Sequence, residues 1–117
     1  MFDWLGELLE PQPRWVVAVD GEWIRVTDDA GETRSVAKAE LSRVAIETTN
    51  RGIEGMHHWW RLFGEDERTD CVYPLGADGE AAVAEYLTAL PGFDHGEMMK
   101  AMTSRTDASA TVWRRVL

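Results

Sequence analysis

The 117-residue chain holds one cysteine and two lysines, and its acids outnumber its bases by 21 to 12. Each shortage excludes something. A lone Cys71 leaves no intramolecular disulfide and fits a reducing, cytoplasmic setting. The formal net charge of -9 argues against non-specific nucleic-acid binding and against docking on anionic lipid. No apolar run approaches the roughly 20 residues that a membrane-spanning helix needs. The three histidines and the cysteine fall in no CxxC, HxH or HExxH spacing. Gly52-Ile53-Glu54-Gly55 has the wrong spacing for a phosphate loop. Gly76-Ala77-Asp78-Gly79 carries an acid where a phosphate would sit. The acid clusters Asp28-Asp29 and Glu65-Asp66-Glu67 lack the calcium-loop pattern and fall in predicted turns. No cofactor and no metal are expected.

The composition that remains is that of a globular domain, 44% hydrophobic and 28% charged. The length is that of one domain. The acids are evenly spread: residues 1–50 carry ten acids and five bases, and residues 51–117 carry eleven and seven. The excess therefore reads as a solvated surface rather than an interaction arm.

Residues 1–13 read as a short N-terminal helix and a proline linker. Phe2, Leu5, Leu8 and Leu9 share one side, and Pro11 and Pro13 end the helix. Its polar residues are acidic, so neither a secretory signal nor a membrane-surface helix is expected. A helix this short needs packing against the body or a partner.

Residues 14–117 read as a single α+β domain. Alternation over Trp15–Asp20 and Trp23–Thr27, joined at Asp20-Gly21, predicts a two-residue hairpin with Ile24 and Val26 inward. Weaker strands are expected at Thr33–Ala37 and after Leu41. A loop is expected at Asn50–Gly55, an aromatic strand at His57–Phe63 and a short strand at Thr69–Tyr73. Val83, Tyr86, Leu87 and Leu90 then fall at helical spacing, with Asp78 as the expected cap. Asp94 and Glu97 fit a capping box opening a second helix through Met98, Met99 and Met102. Thr111–Leu117 is a final strand or an ordered tail. Strands first and helices later predict a curved antiparallel sheet or partly open barrel of six to seven strands.

Val19-Asp20-Gly21, Ile24-Arg25-Val26, Val36 and Leu41-Ser42-Arg43-Val44-Ala45-Ile46 resemble the opening of bacterial pleckstrin-homology-like domains. The strands around Trp60 and Val72 and the helix at 78–90 continue that order. Leu90-Pro91-Gly92-Phe93-Asp94 with Val112-Trp113-Arg114-Arg115 is similar to small uncharacterised bacterial proteins. The resemblance implies a non-enzymatic binding scaffold. Lipid-headgroup binding is not carried over, because the first hairpin offers only Arg14 and Arg25 among acids.

The six tryptophans are the most informative residues. Arg14, Arg25, Arg61, Arg114 and Arg115 each lie within two positions of one. Arg stacked on Trp contributes about 0.5–1 kcal/mol at an exposed site. Trp and Arg are also enriched where protein interfaces hold most of their energy. Trp23, Arg25, Trp59, Arg61, Trp113 and Arg115 are therefore the candidate interaction surface, with plain packing as the competing explanation. A protein partner is expected, with the chain itself a monomer or a homodimer through 57–63. One version is an immunity protein that neutralises a basic toxin by charge complementarity. The rival is a small metal-dependent enzyme using His57 or His58 with His95. Adjacent strand residues point to opposite faces, so His57 and His58 cannot easily share one ion.

Overall fold

The computed structural model describes residues 15–53 and 56–116. The predicted helix and linker at 1–13 lie outside the described residues. Gly21 takes φ 58° at the first central position of the turn, and Asp20 pairs with Trp23 across it. This joins β1 (Val16–Asp20) to β2 (Trp23–Thr27) by the predicted two-residue hairpin, with Gly21-Glu22 rather than Asp20-Gly21 as its central residues. β3 (Thr33–Ala37) pairs on the other side of β2, completing an antiparallel three-stranded sheet. Ile24, Val26 and Val36 turn inward and are buried.

A second antiparallel sheet has the order β6-β5-β4-β7. Its strands are β4 (Arg43–Ile53), β5 (Met56–Phe63), β6 (Thr69–Pro74) and β7 (Ala108–Arg114). The strands thus divide into two hydrogen-bonded sheets rather than closing into a barrel. β4 also runs through residues 50–53 of the expected loop, and residues 54 and 55 lie outside the described residues. β5 lies inside its sheet, hydrogen-bonded to β4 and β6. The inner faces share one core. Val44 faces Leu62, Ile46 faces Trp60, and Trp60 stacks on Tyr73 at 6.3 Å between ring centroids.

Helix α1 (Glu80–Thr88) packs on β1 and buries Val83 and Leu87. Asp78 is not its cap. The backbone of Asp78 bonds β1 instead, with Val17 N donating to Asp78 O at 2.7 Å and Asp78 N to Trp15 O at 2.9 Å. The cap position falls to Gly79 at φ 87°, where a Cβ would overlap the Val17 carbonyl oxygen. Helix α2 (His95–Thr103) keeps the predicted cap: Asp94 Oδ1 accepts from Glu97 N at 2.9 Å. Only that half of the box forms, because Asp94 N donates to Val112 O of β7. Met98 and Met102 rest on the core, and Met99 is exposed.

β7 carries the irregularity that matters most. Trp113 pairs with Val44 and Thr111 with Ala45, leaving Val112 as an extra residue. This bulge turns two successive side chains inward, so Val112 and Trp113 are both buried.

Candidate functional site

The six predicted surface residues fall in three places. Trp59 and Arg61 project from β5 onto the outer face of the four-stranded sheet. Trp59 meets Trp15 edge-on at 5.4 Å, so its ring is half-buried. Arg61 Nη1 pairs with Glu47 at 2.8 Å, and its Nη2 donates to Thr69 Oγ1 at 3.2 Å. Arg43 lies over the Phe63 ring at 3.7 Å and donates to Thr111 Oγ1. Glu67 takes Arg114 at 2.6 Å and Arg43 at 3.7 Å. Ala45 beneath this lattice is fully covered. The cations of this face are paired with its own carboxylates, while Nε of Arg43 and of Arg61 is buried without a hydrogen-bond partner.

Trp23 and Arg25 project from the outer face of the three-stranded sheet. Trp23 is 42% exposed. Arg25 does not stack on it but pairs across the hairpin with Asp20 at 2.9 Å.

Trp113 and Arg115 lie at an open groove of about 590 Å3, between the β1–β2 turn, the 3-10 turn Lys38–Glu40 and the segment after α1. Trp113 belongs to the core rather than to a free surface, being 7% exposed. Its indole Nε1 donates to Pro91 O at 2.8 Å, tying β7 to the end of α1. Arg115 crosses its ring at 5.8 Å. The same guanidinium donates from Nε to Leu41 O at 2.8 Å and from Nη2 to Lys38 O at 3.2 Å. These two bonds hold it at the groove although Arg115 is exposed. Lys38 places its ammonium 4.7 Å from the centre of the Tyr86 ring. Leu90, Pro91 and Val116 add apolar lining, and Glu22 is the groove's acid.

The candidate surface therefore converges only in part. The groove contains Trp113 and Arg115, and Trp23 stands beside it, next to Glu22 and paired with Ala37. Lys38 and Tyr86 were not among the predicted residues. Tyr86 carried a signal in the helical stripe, but a stripe residue reads as core until its neighbours are known.

A second cavity of about 360 Å3 lies between the sheets, lined by Trp15, Asp28, Glu32, Arg34, Asp70 and Cys71. Asp28 Oδ1 is taken up by the backbone N–H groups of Ala30 and Glu32, both at 2.9 Å. Burial, followed by the charge of Asp70, pushes the Cys71 thiol up to about 12. Such a thiol stays protonated at neutral pH and acts as a small apolar side chain.

The histidines do not converge. His57 Nδ1 lies 3.2 Å from Thr49 O, His58 faces Thr48 across β4, and His95 meets Phe93 edge-on at the start of α2. Among the described residues, no three histidine, cysteine, aspartate or glutamate side chains are grouped to hold a metal ion. No helix among those residues is long and apolar enough to cross a membrane. No protein-family model, curated protein or solved structure matches the chain.

Proposed function

We propose that this protein is a non-catalytic, cytoplasmic module that docks a protein partner at the Lys38–Tyr86–Trp113–Arg115 groove. One observation carries the reading. The groove has an aromatic floor of Trp113 and Tyr86 beside two cations, Lys38 and Arg115, which is the residue chemistry of interface hot spots. Trp113 and Arg115 are fixed by backbone acceptors, so little side-chain entropy is left to lose on binding. Among the described residues, antiparallel strands in sheets of three and four, with helices late in the chain, also support a pleckstrin-homology-like binding scaffold as part of this proposal.

A second reading, an immunity protein against a basic toxin, is favoured by the other cavity, where Asp28, Glu32 and Asp70 face Arg34 alone. Photo-cross-linking separates the two. A photoreactive residue at position 39 in the native cell extract gives a discrete protein adduct that Lys38→Glu abolishes, whereas position 29 gives none. An adduct from position 29 alone, with a basic protein in it, supports the immunity reading and overturns the groove. No adduct from either position overturns both.

A further inference from the structure

The groove brings two cations, Lys38 and Arg115, to one surface of an acidic chain. Among the described residues, some cations find carboxylates and some do not. Arg25, Arg43, Arg61, Lys100 and Arg114 are paired. Arg34, Lys38, Arg68, Arg105 and Arg115 have no ion pair among the described residues, and of these Lys38 and Arg115 meet the Tyr86 and Trp113 rings, with Arg115 also on two backbone carbonyls. The Arg115 guanidinium donates to the carbonyl of Lys38 itself, so both cation-bearing residues line the same groove. Two backbone acceptors use only part of a guanidinium's donor set. Apolar lining from Leu90, Pro91 and Val116 continues from that pair.

We propose that the groove takes a short extended segment of a partner protein, with an Asp or Glu side chain at the Lys38–Arg115 pair and apolar side chains along Leu90 and Pro91. This rests on the docking reading and adds the chemistry of the occupant. A carboxylate there meets two cations that have no carboxylate partner among the described residues. A polyanion fits less well. Glu22 lines the groove and Asp20 flanks it, and the chain's -9 repels a long run of phosphates while leaving one or two carboxylates little affected.

The test uses the full chain and a capped, amidated hexapeptide alternating glutamate with leucine, against its counterpart with lysine in place of glutamate. Amide-resolved NMR titration reads the site. The glutamate peptide is expected to shift Gly21, Ala39 and Leu90 and to bind about tenfold more tightly than the lysine peptide. Lys38→Glu removes that preference, and Lys100→Glu on α2 leaves it intact. Equal binding of the two peptides, or a preference that survives Lys38→Glu, overturns the proposal. So does binding of phosphatidylserine vesicles or single-stranded RNA at these amides in preference to the glutamate peptide. If Lys38→Glu abolishes the cross-link from position 39 while the glutamate peptide fails to bind, the docking site stands and the acidic occupant falls.

Discussion

The outer face of the four-stranded sheet and the Lys38–Arg115 groove are built from the same residue types. Each places cations against aromatic rings, Arg43 and Arg61 on Phe63 in one, Lys38 on Tyr86 and Arg115 on Trp113 in the other. They differ in where the acids stand. In the sheet, register puts Glu47 beside Arg61, and the β5–β6 turn brings Glu67 to Arg43 and Arg114. In the groove the guanidinium is held by carbonyls instead. A cation near a ring in sequence thus says little about a site. Whether a carboxylate of the same chain reaches that cation decides if the surface is finished or open.

The largest expected effect breaks the groove at its floor. Trp113→Ala removes a buried ring and should cost about 3–5 kcal/mol of unfolding free energy, against a smaller loss for Trp59→Ala on the half-covered lattice. Urea denaturation checks both. Trp113→Phe keeps most of the volume but loses the bond to Pro91, so about 1–2 kcal/mol is expected. Such an outcome locates the groove's rigidity in that hydrogen bond.

Cys71 tests whether the second cavity behaves as core. Its thiol is held up near 12 when folded, against an ordinary value of 9.0. The folded state binds the proton more tightly, so this contribution is intact below about pH 9 and is lost as pH rises toward about 12. Cys71→Ala should therefore show a shallower alkaline loss of stability than the parent chain. A thiol reagent at pH 8 should label the native protein only as fast as it opens. Immediate labelling would place the thiol in solvent.

The smallest effects sharpen the comparison. Glu67→Ala frees Arg43 and Arg114 at a cost of about 0.5–1 kcal/mol, since these pairs are partly solvated. It should make the lattice more open to carboxylates, with glutamate-peptide shifts appearing on β4 and β7. Lys38→Glu should change stability by less than about 0.5 kcal/mol by thermal denaturation, because the ammonium only overlies a half-buried ring. A large loss there would make Lys38 structural and weaken its reading as a docking residue.

Much of the fold is legible in local patterns. Asp20-Gly21 fixes the first hairpin, and the inward alternation of Ile24 and Val26 follows. The α1 stripe and the Asp94 cap are equally local. What is not legible depends on partners distant in sequence. Asp78 reads as a cap until β1 recruits its backbone. Trp113 reads as a surface ring until the bulge at Val112 turns it inward. The groove itself joins Lys38 to Tyr86 and Arg115 to Leu41, contacts that no window of the sequence contains. Arg61 was equally conspicuous in the sequence, and only the β4–β5 register reveals that Glu47 already occupies it.

The central claim is that, among the described residues, the groove's cations have no carboxylate partner and the lattice's cations do. Binding of the glutamate–leucine peptide to Lys38→Gln and Arg61→Gln variants tests it directly. The account predicts a loss of about fivefold or more in affinity for Lys38→Gln and none for Arg61→Gln, whose guanidinium is already paired with Glu47. Equal losses in both variants, or a loss confined to Arg61→Gln, would contradict it.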